Sequence, residues 1–288
     1  MDSIDTNVEQ NADRDMQSPF ETLTSLPRPF SQAQCVVHKH EILICGGFQN
    51  NECYSYHTIK EQYKHICSYP KEMLFSGHTV VSRVEASSSR AITLLSFGGH
   101  PKHTLVMKYV SVWENDKDDS ADTSDTEKIK DWNQWLPLTD NQNNRIQIGR
   151  NGDNYFGVRA VIGGSENNLL FITYRPSNID IFNLDTLQYI NHYTFPYEKH
   201  VVFCHCFVSI PENKVSTMIL FSEKTGLSIE YDEDTNTFEF YKLWVCTNIR
   251  PFKRYAYVNV NQFIFFLVDG MKIRARLLRF QMQFTSFH

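Results

Sequence analysis

An all-β chain built from repeated four-stranded sheets is the fold this sequence predicts, and three features predict it. The doublets Gly46-Gly47 and Gly98-Gly99 each close a short apolar run, and they stand 52 positions apart. After each doublet come a turn, a strand ending in tyrosine (Tyr56, Tyr109) and a strand carrying another aromatic residue (Tyr63, and Trp132 or Trp135). Hairpins then follow one another with no helical periodicity between them. A four-strand unit recurring about every 50 residues is the pattern of a β-propeller blade.

The elements repeat in order. Residues 1–19 are polar, net acidic and without apolar periodicity, and read as a disordered leader with no secretory signal. Residues 20–288 read as the propeller. A short strand opens each unit, at 34–37, 78–81, 157–161, 205–208 and 255–258, which makes five candidate blades. A more apolar second strand follows at 42–45, 92–97, 169–173, 218–221 and 263–268. Third strands are clearest at 179–183 and 227–232, each ending in a polar turn. Fourth strands stop at proline, before Pro70, Pro137 and Pro196, as outer edges that must not go on pairing. Residues 20–26, which stop at Pro27, share that ending and are expected as a strand able to complete the last blade. Gly163-Gly164 falls in a first hairpin instead, and the doublet positions of blades three to five hold Thr173-Tyr174, Ser222-Glu223 and Asp269-Gly270.

The chain therefore resembles the kelch-repeat family, in particular the kelch-motif proteins of single-celled eukaryotes whose later blades are degenerate. The resemblance covers about residues 20–270 and rests mainly on the first two units. It implies a kelch-type β-propeller with about five recognisable blades, and leaves open an incomplete ring or the six or seven blades common in the family. Gly46, Gly47, Gly98 and Gly99 are its structural repeat glycines, placed where a second strand passes close to other backbone.

Composition bounds the function. The 288 residues are 41% hydrophobic and 14% aromatic, enough for a sizeable core. A net charge of −5 offers no broad attraction for nucleic acid or an acidic membrane surface, and no apolar run reaches spanning length. Seven irregularly spaced cysteines and the absence of any Asn-x-Ser/Thr acceptor favour a reducing, cytoplasmic setting.

Candidate chemistry is sparse. Residues 114–131 form an acidic insertion in blade two, with 115–130 expected outside regular structure. Asp116, Asp118, Ser120, Asp122, Ser124 and Glu127 mimic a calcium loop, but Ala121 stands where the turn needs glycine. Cys204-His205-Cys206 lies in a strand, where alternation turns the imidazole away from both thiols, so buried thiols are expected rather than a metal site. Lys272, Arg274 and Arg276 read as one charged face of an edge strand. Nucleophile-elbow, phosphate-loop and zinc-helix motifs are missing. Glu127 and Asp131 match two places of the iron-binding pattern of kelch-like plant specifier proteins, but Trp135 replaces its histidine.

The expected function is a non-catalytic protein-binding module, with no catalytic residue, metal or cofactor, whose partner is another protein. With 19 mostly polar residues ahead of the repeats, a bare binding domain is expected, without the BTB or F-box module that kelch proteins often carry. The loops expected to bind the partner follow the glycine doublets, with Phe48, Gln49 and Asn50 on one and His100, Lys102 and His103 on the other. The alternatives are a metal-dependent or oxidoreductase-like enzyme with its site at the central channel, where residues converge without a linear motif, and a degenerate copy.

Overall fold

The computed structural model describes residues 24–71, 73, 76–84, 91–114, 132–196, 202–210, 216–222 and 225–245, and the strands at 256–260, 263–270 and 273–281. It is all β, arranged as a β-propeller. Blade one comprises β1 (Gln34–His38), β2 (Glu41–Gly47), β3 (Asn50–His57) and β4 (Gln62–Ser68). Blade two has β5 (His78–Val84), β6 (Ala91–Gly98), β7 (His103–Val110) and β8 (Leu136–Pro137). Blade three has β9 (Asn154–Gly163), β10 (Leu169–Arg175), β11 (Asn178–Asn183) and β12 (Gln188–Thr194). Blade four has β13 (Cys206–Ile210), β14 (Ser216–Ser222), β15 (Thr225–Asp232) and β16 (Thr237–Leu243). A fifth sheet has three strands, β17 (Ala256–Val260), β18 (Phe263–Gly270) and β19 (Ile273–Gln281). Within each sheet the strands pair antiparallel in chain order, and the first strand of each lies innermost. Around the axis β1 adjoins β5, β5 adjoins β9, β9 adjoins β13, and β17 touches both β13 and β1, so the ring closes.

Packing explains why the second strands read as continuous apolar runs. Each sheet is covered on both faces by neighbouring blades, and alternate side chains go to opposite layers. Thus Leu94 of β6 joins a layer with Val36, Cys45 and Met107, while its neighbours in sequence, Leu95 and Phe97, join Tyr155, Val158 and Ile172. Phe171 of β10 enters a third layer with Phe207, Met218 and Leu220, whereas Leu170 and Ile172 face back toward blade two. The outer strands β12 and β16 lack a second cover and alternate half-buried with exposed.

Residues 20–23 and the insertion at 115–131 lie outside the described residues, as do the side chains at 272, 274 and 276. The strand expected over 20–26 is not continued through 24–26, which is irregular. Nor does that stretch serve the fifth sheet. Thr24 Oγ1 donates to the Glu61 carbonyl at 3.1 Å and Tyr63 donates to the Thr24 carbonyl at 3.0 Å. Leu26 packs against the cluster of Phe30, Ala33 and Ile44, so the described part of the segment gains its burial on blade one. The aromatic residue expected on the fourth strand of blade two, Trp135, precedes the two-residue β8 and is buried between blades, stacked on Tyr69 with centroids 4.6 Å apart. Among the described residues no helix is long and apolar enough to cross a membrane.

Gly98 shows why the doublet is needed. Its φ is +76°, and a Cβ there would stand 2.6 Å from Val158 Cγ1 on the next blade. Gly152 has a φ of +94° but open space around it. Alanine at Gly152 therefore carries only backbone strain, about 1 kcal/mol, while alanine at Gly98 adds a clash and is expected to cost about 3 kcal/mol. Urea unfolding of the two variants tests this, and equal losses would remove the packing role assigned to Gly98.

Candidate functional site

In a blade whose strands alternate direction, the turn between second and third strands and the connection to the next blade fall on the same face. Phe48 and Gln49 occupy the turn after β2, and both are exposed, Phe48 by 46%. The Phe48 amide donates to the Ser31 carbonyl at 2.6 Å, and the Asn50 amide group donates to the Pro29 carbonyl at 3.3 Å. This turn is thus pinned to the segment leading into β1. The turn after β6 is pinned likewise, with the His100 amide on the Ser76 carbonyl at 3.0 Å and the Gly99 amide on the Tyr155 carbonyl at 2.9 Å. His100 is exposed, and Lys102, half-buried, donates to the Arg150 carbonyl at 3.0 Å.

His103 departs from expectation. It begins β7 and is 5% exposed, with Nε2 2.8 Å from Ser96 Oγ, so it offers no surface to a partner. The alternation that turns Thr104 toward Ile148 turns His103 toward Tyr69 and His78, in the layer between blades one and two. A residue the loop reading did not include, Trp244, follows β16 on this same face and is 95% exposed.

The second feature lies on the axis. A cavity of about 260 Å³ is lined by the inner strands of all five sheets. Gln34, Thr79, Ser82, Ser209 and Tyr257 supply its polar groups, and apolar side chains such as Val36, Val161 and Val208 line it too. No acidic side chain is among its described lining residues. Arg159 of β9 is fully buried behind this lining: its chain neighbour Ala160 lines the cavity, and so does Thr79, which follows the His78 carbonyl that Arg159 bonds. Its Nη1 donates to the carbonyls of Val158 at 2.7 Å and His78 at 3.2 Å, whereas Nε and Nη2 are buried and bonded to nothing. The guanidinium charge reaches three other blades. It lowers the proton affinity of His78 on blade two, His205 and Cys206 on blade four and Tyr257 on the fifth sheet, adding to the effect of burial at the histidines and opposing it at the thiol and phenol.

Cys204, His205 and Cys206 are all buried, as expected of the thiols, but only Cys206 lies in a strand, so the alternation expected over all three does not apply. His205 Nε2 lies 2.6 Å from Thr173 Oγ1 on blade three, while Cys206 is buried within reach of the Arg159 charge. Cys204 is the last residue before the strand bends inward, at a left-handed φ of 46°.

A third cluster surrounds Asp180, which is fully buried on β11. It accepts from Arg150 Nη1 at 2.7 Å and Tyr155 Oη at 3.4 Å, and its other oxygen lies 2.7 Å from His192 Nδ1. Arg150 also covers the Tyr189 ring at 3.8 Å. Among the described residues no hydroxyl or thiol is bonded to His192, so the carboxylate–imidazole pair lacks an adjacent nucleophile. It holds the connection before β9 against blade three.

Neither Arg159 nor Asp180 was singled out from the sequence. The available signal was a charged residue inside an opening strand that is otherwise apolar, Val158-Arg159-Ala160-Val161, and an acid between two isoleucines, Ile179-Asp180-Ile181.

The fold and this axial cavity define the class: a β-propeller. No family model matches the sequence, and no curated protein matches it. Among solved structures the chain is similar to YjhT, with a TM-score of 0.52, 12% identity, and 85% of this chain and 73% of that one covered. It is also similar to a glycoside hydrolase, with a TM-score of 0.50 and 7% identity, covering 93% of this chain but 63% of the hydrolase chain. At these identities the likeness shows the fold alone.

The buried histidines carry a pH dependence. Burial holds His103 down to about 4 and also lowers His78 and His205. A base depressed in the folded state stabilises the fold above its unfolded value, about 6.5, and loses that contribution as pH falls. Stability is therefore expected to fall from pH 6.5 to 5 by roughly 1.4 kcal/mol per pH unit for each such histidine. Guanidinium unfolding at stepped pH measures the slope, and His103→Gln should reduce it; an unchanged slope would refute the assignment.

Proposed function

We propose that this protein is a kelch-like, non-catalytic protein-binding propeller that engages its partner through the face carrying the turns after β2 and β6. The observation that carries the reading is the exposure of Phe48 and Trp244 on one face, beside turns held by backbone hydrogen bonds. Large aromatic side chains supply much of the energy of protein interfaces. Turns already fixed lose little freedom on binding. His100 and Gln49 provide polar groups on the same turns, while the Asn50 side chain is taken up in holding its turn. The irregular cysteine count supports a cytoplasmic setting for this role.

The test compares capture from a eukaryotic lysate by wild type, by F48S/W244S and by I59S, whose exposed side chain lies at the turn after β3 on the opposite face. All three are expected to share a melting temperature. A protein held by wild type and I59S but at least ten-fold depleted on F48S/W244S supports the reading. Equal capture by all three overturns it, as would turnover of a substrate that disappears with His192→Ala.

A further inference from the structure

We propose that the central channel binds a small monocarboxylate through paired hydrogen bonds from Nε and Nη2 of Arg159. The argument starts from what Arg159 does with its donors. Nη1 is committed to the carbonyls of Val158 and His78. Nε and Nη2 form one edge of the guanidinium, the edge whose two parallel N–H groups match the two oxygens of a carboxylate, and both are buried with no partner. Among the described residues no carboxylate pairs with Arg159, and backbone carbonyls solvate only one of its three nitrogens. A buried charge left in this state is costly, and such groups are ordinarily paired. The buried carboxylate of Asp180, by contrast, has its counter-charge in Arg150.

The neighbouring cavity sets the size and character of the ligand. Its 260 Å³ equals about nine water volumes at about 30 Å³ each. Valines and Phe207 line it together with Thr79, Ser82 and Ser209, a mixed wall suited to a short organic body with one charged end. One guanidinium, with no second cation among the described lining residues, favours a single negative charge over a phosphate dianion. Tyr257 belongs to both sites: it lines the cavity, and its hydroxyl, which donates to the Phe207 carbonyl at 3.0 Å, feels the Arg159 charge. Arg159 is buried behind the lining rather than part of it, so binding requires a local shift of the cavity wall that opens Nε and Nη2 to the ligand.

The experiment measures thermal midpoints of the full chain at constant ionic strength with formate, acetate, butyrate and benzoate. Benzamide serves as the uncharged control and phosphate as the dianion. At about a hundred-fold excess over its dissociation constant, at least one carboxylate should raise the midpoint by about 5–10 °C. Benzamide should not. The shift should vanish in Arg159→Gln and weaken at least ten-fold in affinity in Ser82→Phe, which fills the cavity and leaves the arginine in place. Should Arg159→Gln fail to fold, the ¹⁵N signal of Arg159 Nε in wild type replaces it, and this signal should move on carboxylate addition. No midpoint shift with any of the four acids, a shift that persists in Arg159→Gln, an unmoved Nε signal, or a response to phosphate alone would each overturn the proposal. The partner-capture experiment reads a different face, so either result can fail without the other.

Discussion

Four residues in left-handed backbone at the entry to the inner strands of blades one to four, three just ahead of the strand and Gly157 inside β9, are the constraint on which the rest of the propeller depends. Gln32, Gly77, Gly157 and Cys204 have φ values of 57°, 68°, 81° and 46°, and each stands two positions before an equivalent residue of its inner strand. This bend turns the chain from the rim connection into the axis. It also aligns one blade with the next: the Gly157 amide donates to the Gly77 carbonyl at 2.8 Å, and the Cys204 amide donates to the Gly157 carbonyl at 3.0 Å. Left-handed backbone is unfavourable for residues other than glycine. Gln32 and Cys204 therefore hold a conformation that the surrounding hydrogen bonds must impose. The pinned turns after β2 and β6, the placement of Arg159 and the narrow axial cavity all follow from that entry geometry.

Much of this was legible in the sequence, for physical reasons. Second strands covered on both faces have to be mainly apolar, and the runs at 92–97 and 169–173 are, with Thr93, Ser96 and Thr173 as their polar members. Gly98 was legible because the contact with Val158 excludes a side chain, and a glycine paired with another at the end of such a run is hard to explain otherwise. The degenerate blades also obeyed the pattern. Where Thr173-Tyr174 replaces the doublet, β10 continues to Arg175 and turns at Pro176-Ser177.

The site was less legible because it is assembled from residues of different blades. His103 looked like a loop residue by its distance from Gly99, but the strand begins at His103 itself, and burial follows from the strand's alternation rather than from sequence position. Arg159 stands among apolar neighbours in a strand with a clear inward and outward alternation, so its departure from pattern was visible while its meaning was not. That meaning depends on the His78 carbonyl, 81 positions away in the chain, and on Tyr257, nearly a hundred further on. The contribution of Trp244 to the exposed face was equally hidden, since an aromatic residue at the end of an outer strand can fold in or out.

The chain's tryptophans also give it an internal optical contrast. Trp135 lies against Tyr69, and its indole N–H points to the sulfur of Cys53 at 3.4 Å, deep between the first two blades. Trp244 stands almost wholly in water. The first ring emits from a dry, rigid setting beside a thiol that can quench it; the second emits at longer wavelength and is open to dissolved iodide. With Trp113 buried and Trp132 half-buried, it is selective iodide quenching that separates Trp244, the reporter of whatever covers the rim, from the ring that keeps time with the seam between blades.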